Sequence, residues 1–281
     1  MAGAMELSQH IAGTVDAALR EDVGRGDRTT GLLVPSGHRC RAELLLEEPG
    51  VVCGAHVAAA VFATLDRRVE FRTTLEDGTY VDGAPAAVAE LTGPAAAILT
   101  GERTALNLVG RLCGIATLTR RYVDEVAGTG VTILDTRKTT PGLRALEKYA
   151  VRCGGGANHR FGLDDAILVK ENHLRIAGGI GAAVGLLAGR TDGLTVEVEA
   201  ETLEQVAEAL ACGVDRILLD NMTPEQVAEA VRLTNGRAAL EASGGITLET
   251  IRSFAETGVD FISVGALTHA ARSLRVSLEV Q

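Results

Sequence analysis

"LTVEVEA", residues 194–200, decides between the two architectures open to this chain. Along a strand, successive side chains alternate sides, so Val196 and Val198 share one face and Glu197 and Glu199 the other. A strand in an open sheet covered by helices on both sides is apolar on both faces. Two glutamates on one face suit the polar interior near the mouth of a barrel instead. An edge strand of an open sheet is the other setting that shows the pattern.

Outward from this stretch the rhythm repeats. Apolar strand candidates lie at 131–134 (VTIL), 166–169 (AILV), 194–199, 215–220, 238–242 and 261–264, and helical segments such as "TLEQVAEALACG" and "TPEQVAEAVRLTNG" separate most of them. The late intervals, about 22 residues each, fit strand–loop–helix–loop units. Repeated βα units build a barrel or a doubly wound sheet. The late strands end in Glu199, Asp220, Ser243 and Gly265, polar or glycine in each case, which favours the barrel. With about six strands visible, the barrel is incomplete or further strands are hidden by weak patterning.

Earlier in the chain the pattern differs. A helix is expected from Leu7 to Glu21, with Ile11, Val15, Ala18 and Leu19 as its apolar stripe. Strand candidates at 39–48, 69–74 and 86–93, with a helix near 55–65, suggest a small α+β domain. A long helical region begins near Pro94, and Gly101 and Gly110 are read as interrupting it.

Composition narrows the function classes. The net charge of −10 repels nucleic acid and anionic membrane surfaces, so neither is an expected partner and an anionic ligand must be held by local focusing. The five cysteines are odd in number and form no CxxC pair, which predicts free thiols in a reducing compartment. With no signal-peptide pattern and no long apolar run, the expectation is a cytoplasmic protein.

Chemistry-bearing residues gather at the strand ends. Ser243-Gly244-Gly245 and Gly265 lie in the loops that hold a phosphate in barrels of this kind. Glu199 and Asp220, one βα unit apart, can face one cavity and hold a divalent cation such as Mg²⁺, or orient ligand hydroxyls. Glu197 and Glu241 point to the same interior and need partners, for which Lys170 or an arginine is expected. Lys170 directly follows "AILV", where a partly desolvated ammonium can bind a carboxylate. His173 reads as structural.

"LDTRKTTPGLRALEKYAVRCGGGANHR", 134–160, reverses the acidic balance of the chain. Arg137 and Lys138 follow a strand and overhang the barrel mouth. "GGGANHR" returns His159 and Arg160 to the same end. Arg144, Lys148 and Arg152 align on one helical face, which suits a solvated surface, an anion or another subunit. Several fixed cations in one place form a cradle for a ligand with more than one carboxylate or phosphate.

At these residues the chain resembles the quinolinate phosphoribosyltransferase family, also called nicotinate-nucleotide pyrophosphorylase (carboxylating). The matching segments run in order nearly end to end, among them "ALREDVGRGDRTT" (18–30), "GERTALNL" (101–108), "DTRKTTPGLRALEKYAVRCGGGANHRFGL" (135–163), "ILVKENH" (167–173), "EASGGI" (241–246) and "SVGALTH" (263–269). The resemblance implies phosphoribosyl transfer from 5-phosphoribosyl-1-diphosphate to quinolinate, with decarboxylation to nicotinate mononucleotide in NAD synthesis, and a need for Mg²⁺. It implies a smaller N-terminal α/β sandwich domain (1–110), an open, incomplete α/β barrel (111–270) and a C-terminal segment (271–281) packing back on the first domain. It further implies a homodimer with shared sites, Arg103 reaching the neighbouring subunit's quinolinate. Arg137, His159 and Arg160 are implied as the other quinolinate ligands, with Lys138 and Lys170 between them and the diphosphate. Glu199 and Asp220 are implied to face the ribose hydroxyls and the metal, and Ser243, Gly244, Gly245 and Gly265 the 5′-phosphate. The rival readings are transfer to nicotinate or another heteroaromatic acid, and a non-catalytic barrel that binds a phosphorylated metabolite.

Overall fold

The computed structural model describes residues 2–281, with side chains from residue 7 onward. The chain divides into two compact units, one of Met1–Arg120, Thr139–Gly155 and Leu267–Gln281, the other of Arg121–Lys138 and Gly156–Ala266.

Helix α1 (Ala2–Val23) buries Ile11, Val15 and Leu19, the stripe expected from their spacing. Helix α2 (Arg28–Leu33) starts where the Asp27 carboxylate accepts from the Thr30 N–H at 2.9 Å. Then come β1 (Arg39–Leu46), β2 (Gly50–Val51), α3 (Ala55–Leu65), β3 (Glu70–Thr73), β4 (Tyr80–Val81) and β5 (Ala86–Pro94). Burial alternates along β1, with Cys40, Ala42, Leu44 and Leu46 inward. It pairs antiparallel with β5, which pairs in turn with β3.

Helix α4 (Ala95–Glu125) then runs for 31 residues without a break. Gly101 and Gly110 therefore do not interrupt it, contrary to expectation. A Cβ added at Gly101 would stand 2.9 Å from Leu65 and 3.0 Å from the Phe62 ring, and one at Gly110 would stand 2.7 Å from the Leu274 carbonyl oxygen. These glycines let other segments approach the helix backbone. Each forgoes roughly 1 kcal/mol of helix propensity for that contact.

The βα units follow as β6 (Thr132–Leu134), α5 (Arg144–Cys153), β7 (Ile167–Val169), α6 (Glu171–Ala177), α7 (Ile180–Leu187), β8 (Val196–Ala200), α8 (Leu203–Ala211), β9 (Arg216–Asp220), α9 (Pro224–Thr234), β10 (Ala239–Ser243), α10 (Ile251–Ala255) and β11 (Phe261–Ser263). Thr202 with Gln205 and Thr223 with Gln226 form capping boxes that start α8 and α9. Helix α10 begins at Ile251, because Thr247–Thr250 close a turn in which the Thr250 N–H donates to the Thr247 carbonyl at 3.1 Å.

The six strands of this unit form one parallel sheet, ordered β6-β11-β10-β9-β8-β7. From β7 to β11 the spatial order is the sequence order, and the first strand, β6, lies beside the last. A doubly wound sheet would reverse direction at a switch point. This is a barrel opened between β6 and β7. Backbone enters that gap, where the Ala157 N–H donates to the Ile133 carbonyl at 2.8 Å and the Ala157 carbonyl accepts from the Asp135 N–H at 3.2 Å.

Short helix α11 (Ala266–His269) leads to β12 (Val276–Val280), which pairs antiparallel with β1 in the first unit. Lys148 on α5 is 1% exposed, so the basic face of that helix is not a solvated one at this position. No helix of the described residues is long and apolar enough to cross a membrane.

Candidate active site

The carboxyl ends of all six parallel strands surround a pocket of about 490 Å³, a size that suits a small-molecule ligand. Thr136, Arg137 and Lys138 enter after β6, Lys170, Glu171 and Asn172 after β7, Glu199 from β8, Asp220 from β9, Glu241 and Ser243 from β10, and Ser263 from β11. His159 and Arg160 complete the wall from the segment that bridges β6.

Buried Asp135 fixes that segment. It accepts from the His159 N–H at 2.9 Å and from the Asn158 side-chain amide at 2.5 Å. The Arg160 guanidinium donates to the Ala166 carbonyl at 3.3 Å. Burial, and then the like charge of Arg137, lower the pKa of Arg160, so two guanidiniums stand close together here. The Nε of Arg137 is buried with no hydrogen-bond partner in the protein. An anion placed between them would satisfy that donor and relieve the repulsion.

Of the two expected partners for the interior carboxylates, an arginine takes one of them and Lys170 takes neither. Lys170 stands 3.5 Å from Glu199, with its side chain 50% exposed, and it is not the partner of Glu197 or Glu241. Those two converge on Nε2 of His159, at 3.0 and 3.4 Å, and Arg216 takes Glu241 at 3.2 Å. Arg216 also lies over the Phe261 ring, 4.2 Å from its centroid. Burial pulls the His159 pKa down, and the Arg160 N–H, 2.6 Å from Nδ1, opposes a second proton there. The two carboxylates outweigh burial and push the pKa up to about 9. Burial raises the pKa of Glu197, whereas His159 and Arg216 hold that of Glu241 down against burial.

His159, Glu197 and Glu241 offer ligand atoms within 4.8 Å of one another and could hold a metal ion. An imidazolium ion-paired to both acids already fills that role, and Mg²⁺ prefers oxygen ligands. Glu199 and Asp220 fit a hard cation better. Burial and then the charge of Glu199 raise the Asp220 pKa, a repulsion that a divalent ion would remove.

The remaining predicted residues lie around or away from this pocket. Gly244 and Gly245 directly follow Ser243 with φ of 98° and 63°, a backbone reserved for glycine, and Gly265 lies in the loop just after β11. His173 accepts from the Lys170 N–H at 3.0 Å and so caps α6. Arg103 does not line the pocket; it is exposed on α4 and borders a separate cavity with Glu47, Asn107 and Ser273. Ser263 and Thr136 were not anticipated, and the arginine expected beside the interior glutamates is Arg216. The alternation of β11 would have pointed to Ser263.

Residues 115–279 match the family model "Quinolinate phosphoribosyl transferase, C-terminal domain", and residues 27–113 match its N-terminal domain. The chain belongs to the quinolinate phosphoribosyl transferase family. Within that family it is 45% identical over 278 residues to the nicotinate-nucleotide pyrophosphorylase (carboxylating) of Mycobacterium leprae, covering 95% of this chain and 96% of that one. It is 40% identical to the chloroplastic enzyme of the same name from Arabidopsis thaliana, covering 96% of this chain and 82% of the other. The nicotinate-nucleotide pyrophosphorylase structure from Francisella tularensis superposes with a TM-score of 0.93 at 41% identity, over 97% of this chain and 96% of that one. The open barrel is therefore the architecture that this phosphoribosyl transferase family uses.

Proposed function

We propose that the chain transfers a phosphoribosyl group from 5-phosphoribosyl-1-diphosphate to the ring nitrogen of quinolinate, releasing diphosphate and CO₂ and forming nicotinate mononucleotide for NAD synthesis. One observation carries the reading: Arg137, Lys138, His159, Arg160 and Lys170 surround a single pocket in a chain of net charge −10. Quinolinate has two adjacent carboxylates beside its nitrogen, and a cradle this cationic exceeds what one carboxylate needs.

Arg137, His159 and Arg160 bind the two carboxylates and aim the ring nitrogen at the anomeric carbon of the ribose. As the new C–N bond forms, the bond to diphosphate breaks and the sugar gains oxocarbenium character. Lys138 and Lys170 face the negative charge growing on the leaving group. Glu199 and Asp220 orient the ribose hydroxyls and would hold Mg²⁺. Bound there, Mg²⁺ would neutralise the diphosphate and lower the cost of its departure. Ser243, Gly244, Gly245 and Gly265 receive the 5′-phosphate through backbone N–H groups. The bond to the adjacent carboxylate then breaks, CO₂ leaves, the electron pair stays on the ring carbon where the neighbouring cationic nitrogen stabilises it, and protonation of that carbon completes the product.

The working unit is a homodimer in which Arg103, exposed on α4, enters the neighbouring subunit's pocket. It acts in the cytoplasm, which agrees with its free cysteines. The deciding assay offers quinolinate or nicotinate with the phosphoribosyl donor and Mg²⁺. Quinolinate-dependent release of CO₂ is expected. Turnover of nicotinate without it would overturn the assignment.

A further inference from the structure

A second cluster of reactive groups lies in the first unit, outside the pocket. Cys53 follows β2 and is fully buried, while Cys153, the last residue of α5, is half-buried. Their Sγ atoms and a carboxylate oxygen of Asp77 lie within 4.8 Å of one another. Two thiols and a carboxylate at that separation suit either a soft metal ion or thiol chemistry, and Asp77 decides between them. Its oxygens already accept from the Gly54 N–H at 3.0 Å, the Ala55 N–H at 3.2 Å and the Tyr149 hydroxyl at 2.8 Å, and Nδ1 of His56 lies at 3.0 Å. That carboxylate serves as the cap of α3 and has little capacity left for a metal. The two sulfurs remain.

We infer that Cys53 and Cys153 are a dithiol that closes reversibly to a disulfide when the protein meets a peroxide. The two thiols have different parts. Cys153 is reachable from solvent, and a hydrogen bond from the Cys53 thiol, aided by Tyr149 and Arg152 against burial and the charge of Asp77, draws its pKa below the ordinary value. Burial pushes the Cys53 thiol the other way, so it waits as the protonated partner. Cys113 is also near, but its sulfur accepts from the Cys53 N–H at 3.2 Å and its thiol donates to the Cys53 carbonyl at 3.3 Å, and burial raises its pKa to about 12.

The Cys153 thiolate attacks one peroxide oxygen. An S–O bond forms, the O–O bond breaks, and the departing hydroxide leaves as water after taking a proton. Cys153 is then a sulfenic acid. The Cys53 sulfur attacks that sulfur, the S–S bond forms, the S–O bond breaks, and the second oxygen leaves as water with the Cys53 proton. Two thiols lose two electrons and one hydrogen peroxide becomes two waters. A disulfide of this kind in a reducing compartment is transient and reopened by thiols.

The test treats the whole chain with hydrogen peroxide, alkylates the remaining thiols and maps the cysteines by peptide mass spectrometry. A cross-linked peptide pair joining Cys53 to Cys153 is expected, lost on adding dithiothreitol, with Cys40, Cys113 and Cys212 alkylated. In Cys53→Ser, Cys153 should instead be trapped as a sulfenic acid by dimedone. Cys212→Ser should cross-link like the parent chain. The inference fails if the parent chain keeps both thiols alkylatable, pairs different cysteines, or carries Cys153 to sulfinic acid without the cross-link. Because the parent chain supplies the primary readout, a variant that misfolds does not blunt the test.

Discussion

Nε2 of His159 sits 3.0 Å from a carboxylate oxygen of Glu197 on β8, and Glu241 on β10 reaches the same nitrogen. Strand β9 lies between those two strands, so one imidazole ties non-adjacent strands across the pocket floor. Arg216 faces Glu241, and Arg160 follows His159 directly. The folded-state pKa of His159 is raised from 6.5 to about 9. Its contribution to stability is therefore complete below its unfolded value and is lost as pH rises through about 9. If His159 is a quinolinate ligand, as proposed, the same charge serves the substrate. KM for quinolinate should climb as pH passes about 9, with KM for the phosphoribosyl donor less affected. Glu241→Gln should move the climb towards neutrality. An NMR titration of His159 at its ordinary value in the parent chain would refute this.

The alternation in "LTVEVEA" was legible because strand geometry has a period of two whatever the neighbours, and β8 forms with its glutamates spaced as read. What those glutamates touch was not legible. His159 and Glu241 meet Glu197 only because the barrel curls, and no local spacing reports a contact across strands so far apart in the chain. Strand β12 escaped notice for a similar reason, since five residues near the chain end become a strand only by pairing with β1. Gly101 and Gly110 misled in the other direction, because close approach to a helix and a break in one call for the same residue type.

Lys138 is exposed at the pocket rim. Lys138→Ala should leave stability within about 0.5 kcal/mol of the parent chain and lower kcat about a hundredfold or more if the ammonium stabilises departing diphosphate. Denaturant unfolding and steady-state rates give the two numbers. An unchanged kcat would remove Lys138 from the mechanism.

Asp220 titrates against burial and the charge of Glu199, with Lys170 and Lys138 helping to hold it ionised. If the two acids share Mg²⁺, Asp220→Asn should raise the Mg²⁺ concentration giving half-maximal rate several-fold. It should also relax Glu199. A rate that depends on Mg²⁺ as in the parent chain would move the metal elsewhere.

Glu147 on α5 is completely buried and accepts from Arg111 at 2.9 Å and from the Thr140 N–H and hydroxyl at 3.0 and 2.8 Å. Arg111 also donates to the Ala271 carbonyl at 2.7 Å, so one carboxylate secures the turn that begins after Lys138. Removing one member of a buried pair leaves the other uncompensated, at a cost of roughly 3–5 kcal/mol. Glu147→Ala should lower unfolding stability by that order, and Glu147→Gln, which keeps one acceptor, by less. A Glu147→Ala chain within about 1 kcal/mol of the parent would show that Arg111 finds water or another acceptor.

Arg103 tests whether pockets are shared between subunits. In a dimer with the proposed exchange, an Arg103→Ala chain and an Arg137→Ala chain each make inactive homodimers. Mixed dimers contain one pocket bearing both defects and one bearing neither. Random mixing in equal amounts gives half mixed dimers, so about a quarter of the parent activity should return. Size-exclusion chromatography with differently tagged chains establishes that mixed dimers form. Their formation without recovered activity would return Arg103 to its own subunit or exclude it from any site, because intact pockets cannot arise if each subunit supplies its own arginines.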